Sequence, residues 1–397
     1  MRCIEARDMK NPQVNPAVGL AALNDRYVAY DSAADRFFEL NATAALIAEL
    51  CDGSRSVEEI RALASPWMPG EQTDEVDRIV REGLDSGLLV PGDGARVLAR
   101  TLTADELTAL AEHLWETNRI DAGLACAKRA TELQPDHPGA WQTVGRISQV
   151  LRRRQDAAHA FGRYLELRPN DAAIRHQLIG LRDESPPERA SDDCVLQTFR
   201  DFSSHYDSKM REVLAYQAPE RLEEIIQSKM GDAAALDILD LGCGTGLAGV
   251  VLKPRAARLT GIDLSPEMIE RARERGIYDR LEVAEINNWL AAAQAGFDLI
   301  AACDTLVYFG DLTQAAKLAA AALKPGGCFA FTVERSETSP HMLTDSGRFA
   351  HHPDHIRAVA ESAGLETAGI QEGFLRMEGG REVIGLIVLL RKEPARR

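Results

Sequence analysis

The chain has 397 residues, 45% hydrophobic and 27% charged, with a formal net charge of −15 at pH 7. That balance fits a multidomain globular protein and counts against nucleic acid or an anionic membrane as a partner. Seven cysteines without a C-x-x-C pair, an N-terminus lacking an apolar core and the absence of any apolar run of bilayer length exclude a disulfide framework, a structural zinc site and a membrane span, so a cytoplasmic protein without a metal is expected.

Polar breaks at Pro91–Gly94 and over the charged linker 182–193 divide the chain into expected domains 1–98, 99–185 and 194–397. In the first, Gly19–Leu23, Arg26–Tyr30 and Arg36–Leu40 read as short strands. Helices follow over 41–50, behind a capping box at Ser56–Glu59, and over 75–86, where Val76, Ile79, Val80 and Leu84 recur at helical spacing. Strands followed by three helices make a small winged-helix-like domain. Its acidic helices (Glu58, Glu59, Asp74, Glu75, Asp77) disfavour a phosphate backbone as partner. With its alternating strands, ELNATAALIAELCDGSRSVEEI at 39–60 and RIVREGLDSGLLV at 78–90, the segment Tyr27–Val90 resembles the PqqD-like precursor-peptide recognition domain. The resemblance implies that a leader peptide adds as an extra strand at the sheet edge and packs against the last helix. A dimerisation module of the same build is the alternative.

The middle block repeats. Pro135 and Pro169 are 34 residues apart, the tetratricopeptide period. Trp141, Gly145, Ala157, Phe161 and Pro169 fall on signature positions of the second unit; the first keeps Leu110, Ala111, Ala127 and Pro135. A helix at 171–182 is expected to close the stack. The repeats serve as a spacer or as a peptide-binding groove.

The last block opens on LDILDLGCGTG at 236–246. A strand ending near Asp240 runs into Gly242, Gly244 and Gly246, a turn on which a ligand can touch bare backbone at a helix start. Gly244, Gly246 and Gly249 also satisfy the dinucleotide pattern G-x-G-x-x-G. The Asp240 carboxylate would repel a diphosphate and suits a cationic ligand such as S-adenosylmethionine (SAM). ARLTGID at 257–263 reads as a second strand ending in Asp263, placed to grip a ribose diol with either cofactor. Ser265 is an expected N-cap, Pro266 suits the first helical position and Met268 can lie over an adenine.

On DLGCGTG at 240–246, GIDLSPEMIERAR at 261–273, FDLIAACDTLVYFGDL at 297–312 and LKPGG at 323–327, residues from about 195 to 392 resemble a class I SAM-dependent methyltransferase. VLAYQAP at 213–219 is similar to the subfamily that also carries tetratricopeptide repeats. The resemblance implies a Rossmann-like sheet with helices on both faces and SAM as cofactor. It implies that Asp240, Gly242, Cys243, Gly244 and Gly246 line the methionine part, that Asp263 holds the ribose hydroxyls and that Glu285 and Ile286 flank the adenine, with Leu264 and Met268 as further cofactor contacts. Glu285 departs from the family's more usual Asp.

Ligands of open α/β sheets sit at strand C-termini, so Asp304, after the strand Leu299–Cys303, should edge both cofactor and acceptor, with Tyr308 and Asp311 beside it. Asp304 is a candidate general base or orienting group; a plain helix cap is the alternative. Phe199, Phe202, Tyr206, Met210 and Leu214 recur at helical spacing, as a core stripe or as a lid with Tyr206 facing the sulfonium. His351 and His355 have metal-like helical spacing, but Pro353 interrupts it. His351 is a candidate contact to the acceptor, and Arg348 could clamp a carboxylate through its fork. The expected function is methylation of a ribosomally made precursor peptide, bound by its leader, with other peptide-modifying enzymes as candidate partners. The alternatives are a small-molecule methyltransferase and a SAM-binding scaffold without turnover.

Overall fold

The computed structural model describes residues 11–394 apart from 24–26, 33, 69–72, 201–213 and 379–380. The chain divides into two compact units, residues 1–167 and 168–397. No helix among the described residues is long and apolar enough to cross a membrane.

The first unit begins with β1 (Pro12–Val14), β2 (Val18–Ala22), β3 (Tyr27–Asp31) and β4 (Arg36–Leu40). Three helices follow, α1 (Ala42–Leu50), α2 (Val57–Ala64) and α3 (Thr73–Ser86), then β5 (Leu89–Pro91) and β6 (Arg100–Thr101). The capping box at Ser56 forms: the Glu59 N–H donates to Ser56 Oγ and the Ser56 N–H to Glu59 Oε2. Strand order is β4-β3-β2-β6, and β1 pairs antiparallel with β5. β1 and β6, of three and two residues, are too short to show a period and were not expected.

Four helices complete the unit: α4 (Ala104–Glu116), α5 (Ile120–Leu133), α6 (Pro138–Val150) and α7 (Arg154–Leu167). Gly145 admits Phe161, since a Cβ there would lie 2.3 Å from the ring. The sheet lies between two helical layers. Ala29 and Leu40 join Ile47, Ile60 and Val80 in one core. Val28 and Tyr30, on the opposite face, join Leu107, Leu110 and Leu114 in another. The period of two along β3 thus serves both layers. Residues 1–98 and the helices after them thus share a core and lie in one compact unit, across the expected break at 98.

The boundary at 185 also moves. Helix α8 (Ala172–Leu181) belongs to the second unit. Its Gly180 packs so closely on Thr344 that a Cβ would lie 2.4 Å from that carbonyl oxygen. An amphipathic pattern shows that a helix has a buried face, not what covers it.

After α8 come α9 (Asp192–Arg200), α10 (Ala218–Met230), β7 (Leu236–Leu241), α11 (Leu247–Leu252), β8 (Ala256–Asp263), α12 (Pro266–Glu274), β9 (Arg280–Val283), α13 (Ile286–Ala292) and β10 (Phe297–Ala302). The chain continues through α14 (Thr313–Ala322), β11 (Leu323–Arg335), β12 (His341–Leu343), β13 (Phe349–His351), α15 (Pro353–Ser362), β14 (Leu365–Glu378) and β15 (Arg381–Lys392). Strands run in the order β12-β13-β11-β10-β7-β8-β9, parallel from β13 to β9, while β15 joins β11 antiparallel and carries β14. Helices cover both faces, as expected: Leu239 and Leu241 pack toward α13, α14 and α15, whereas Ile238 packs toward α10. The β14–β15 hairpin was not anticipated.

Candidate active site

A cavity with about 900 Å³ of empty space, including its open mouth, lies at the C-terminal ends of β7, β8 and β10. Its wall includes Gly242, Cys243, Gly244, Asp263, Leu264, Met268, Glu285, Ile286, Asp304 and Tyr308. Gly242 and Gly244 have φ of +65° and +54°, a region that favours glycine. A Cβ at Gly242 would strike Thr305 at 2.3 Å, while one at Gly244 meets nothing within 4 Å. The turn is therefore tight against the protein on one side and open on the other.

Asp263 ties this turn down. Its Oδ2 accepts from the Gly244 N–H and its Oδ1 from the Ser265 N–H, both at 2.8 Å. Burial raises its pKa, and the backbone donors oppose that. Ser265 caps α12 by accepting from the Met268 N–H, with Pro266 at the helix start. Glu285 caps α13 by accepting from the Asn288 N–H at 2.8 Å.

Two expected wall residues lie elsewhere. Gly246 turns away toward Arg275 and Tyr278. Asp240 is fully buried behind the turn, where the Tyr278 hydroxyl donates to its Oδ2 at 2.7 Å. Asp240 stands two residues after Ile238 on β7 and so shares its face, away from the cavity. Burial pushes the Asp240 carboxyl up to about 7, against the pull of Tyr278. A Cβ at Gly249 would lie 2.2 Å from the Tyr278 hydroxyl oxygen. The last glycine of the G-x-G-x-x-G pattern thus makes room for a tyrosine, not for a diphosphate.

At the other end of the cavity, Asp304 follows β10 with φ +53° and donates its N–H to Thr332 Oγ1 at 2.8 Å. Its Oδ1 accepts from Arg376 Nη1 at 2.9 Å. Arg376, 1% exposed, also contacts Glu334 and reaches Glu378 at 3.2 Å. Arg348 Nη1 lies 3.7 Å from both glutamates. Burial pushes Asp304 up while Arg348 pulls it down; Glu334 is pushed up to about 8 by burial, and Tyr308 to about 12 for the same reason. Phe199 sits edge-on to Tyr308, with ring centroids 5.9 Å apart.

Two family models match the chain: a methyltransferase domain over residues 238–327 and coenzyme PQQ synthesis protein D (PqqD) over residues 26–89. A ubiquinone biosynthesis O-methyltransferase of Xanthomonas axonopodis pv. citri (strain 306) is 32% identical over 170 residues, covering 38% of this chain and 69% of the relative. The Xylella fastidiosa (strain 9a5c) protein of the same name is 37% identical over 166 residues, covering 38% and 67%. The chain belongs to the SAM-dependent methyltransferases. A solved SAM-dependent methyltransferase from Methanosarcina mazei superposes with a TM-score of 0.36 at 18% identity, over 43% of this chain and 97% of that one.

The methyltransferase's cofactor is SAM, and the cavity fits it. The wall carries three carboxylates (Asp263, Glu285, Asp304) and one guanidinium, Arg189, with Asp304 paired from behind by Arg376; this excess of acid on the wall suits a cation and is hostile to a diphosphate. Gly244 leaves an open cradle that a side chain would fill.

Other expected residues fall outside the cavity wall. Arg348 is engaged with Glu334 and Glu378. His351 is fully buried on β13, a strand rather than a helix, and stacks on His355 of α15 at 5.6 Å. Burial pushes its imidazole down to about 3. Among the described residues no group of three His, Cys, Asp or Glu side chains is arranged to hold a metal ion. Tyr206, Phe202 and Met210 lie outside the described residues. Sequence reasoning missed Arg189, Tyr216 and Thr305 on the wall, and Tyr278 and Arg376 behind it. The one signal for Arg376 was a charged residue within the apolar stretch Phe374–Met377.

Proposed function

We propose that this methyltransferase modifies a ribosomally synthesised precursor peptide whose leader is held by the N-terminal sheet. One observation carries the reading: a PqqD match and a methyltransferase match occur on the same chain. Among the described residues β4 has β3 on one side and no strand on the other, and Arg36 of β4 donates to the Ser86 carbonyl at the end of α3. A leader strand added beside β4 would gain backbone hydrogen bonds and lie near that helix. The winged-helix-like sheet and the tetratricopeptide-like pair α4–α7 then act as one body that presents the leader. Tethering raises the concentration of the peptide core at the active site.

In this reading Gly242, Cys243 and Gly244 receive the methionine part of SAM, Asp263 and Leu264 the ribose, and Met268, Glu285 and Ile286 the adenine. Asp240 supports the turn from behind. SAM supplies a methyl group already activated on a sulfonium, so the protein's task is alignment, exclusion of water and proton removal. Tyr308 and Phe199 wall off the acceptor. Asp304 takes the proton of an acceptor O–H, and Arg348 screens the carboxylates around it.

The test is co-expression with a candidate precursor, reading peptide mass. A one-methyl gain on the full peptide but not on a leaderless one is expected. Equal methylation of both would overturn the tether. A second reading, a small-molecule acceptor, draws on the relatives named for ubiquinone biosynthesis; it predicts turnover that does not depend on the N-terminal sheet.

A further inference from the structure

The Arg376 side chain is aimed by a defect in the sheet. Along β14 the register passes from Phe374 opposite Ile384 to Arg376 opposite Val383, leaving Leu375 as an extra residue. Bulges of this kind re-aim side chains next to active sites. Leu375 fills the space over Gly385, where a Cβ would lie 2.2 Å from its Cδ1. Arg376 is thereby turned inward and buried to 1% exposure among Asp304, Glu334 and Glu378.

We propose that Arg376 is a positioning residue that holds Asp304 as an ionised, oriented carboxylate at the acceptor end of the cavity. This rests on the reading of Asp304 as proton acceptor. The other two wall carboxylates are held differently: Asp263 by backbone N–H groups and Glu285 by the start of α13. Asp304 alone among the three accepts a hydrogen bond from a guanidinium, a group that stays charged at every working pH; Glu285 lies 3.9 Å from the nearest one, Arg189.

The groups facing Asp304 are Arg376 and Glu378 from β14, Glu334 from β11, Arg348 before β13, Tyr308 and the neighbouring Cys303. Two guanidiniums therefore meet three carboxylates. Burial pushes Glu334 up to about 8 while Arg348 pulls it down, and Arg376 donates to Glu334 as well as to Asp304. With SAM bound, methyl transfer would form an O–CH3 bond and break the S–CH3 bond; the O–H proton would go to the Asp304 carboxylate, so the lost sulfonium charge and the lost carboxylate charge would cancel.

The probes are S-adenosylhomocysteine and sinefungin, a SAM analogue with a protonated amine in place of the methylsulfonium. Their affinities are compared by calorimetry from pH 5.5 to 8.5 for the full chain, R376M, R376K and D304N, each checked for a cooperative melt. The wild type should prefer sinefungin, with the preference fading as Asp304 protonates at acid pH. D304N should lose the preference throughout. R376M should move the midpoint up by a pH unit or more, so that between the two midpoints the preference falls about tenfold. If R376M does not fold, R376K carries the test with a smaller shift in the same direction. A folded R376M or R376K with the wild-type profile, or a D304N that keeps the preference, overturns the proposal. A missing mass gain on the peptide would sink the peptide reading and leave this result untouched.

Discussion

Asp240 is fully buried, and only one of its carboxylate oxygens has a hydrogen-bond partner among the described residues, the Tyr278 hydroxyl. Its pKa is raised from 3.8 to about 7, first by burial and further by Asp263. The native state therefore keeps a proton that the unfolded chain gives up near pH 4. Stability should fall as pH rises between about 4 and 7, by roughly 1.4 kcal/mol per pH unit. D240N removes that titration while its amide oxygen can still accept from Tyr278. The melting temperature of D240N relative to wild type should be higher at pH 8 than at pH 5 in thermal denaturation without ligand. An equal difference at both pH values would mean that Asp240 titrates alike in the folded and unfolded chain.

The bulge in β14 and Gly385 form one device. At Gly385 a Cβ would sit 2.2 Å from Leu375 Cδ1 and 2.5 Å from the Val333 carbonyl oxygen. The side chain could rotate, but the backbone oxygen of a central strand cannot give way cheaply. G385A should cost roughly 1–3 kcal/mol by overpacking, read as a lower midpoint in urea denaturation with an unchanged slope. A neutral G385A would show that the hairpin has slack. This hairpin also marks the limit of what residue patterns reveal. The Gly242–Gly246 turn, the Ser265 cap and the strand that ends at Asp263 were legible because each is set by a few consecutive residues. Arg376 was not, because an extra residue in a strand breaks the very alternation that would identify it. Helix α8 was legible as a helix, but its close packing on Thr344 was not, since an apolar face fits more than one partner. Tyr278 was invisible because its role depends on three glycines, Gly246, Gly249 and Gly261, distant from it in sequence.

The division of the chain after Leu167 changes where it can be cut. A fragment of residues 168–397 should fold alone and bind S-adenosylhomocysteine, as measured by calorimetry. A fragment of residues 99–397 keeps Leu107, Leu110 and Leu114 but loses Val28 and Tyr30, which share their core. It should elute as aggregate in size-exclusion chromatography; a clean monomer would show that the helices stand without the sheet. The same sandwich restricts what the sheet can recognise. With Phe37 packed toward one helical layer and Phe38 toward the other, both faces of the sheet are covered at β4. What is left is a rim one strand thick. If the proposed leader adds at this rim, it would be read by its main chain first, and by at most every second side chain on each side. Sequences that differ widely at the unread positions would satisfy it equally well, so one such module could serve a whole series of related chains.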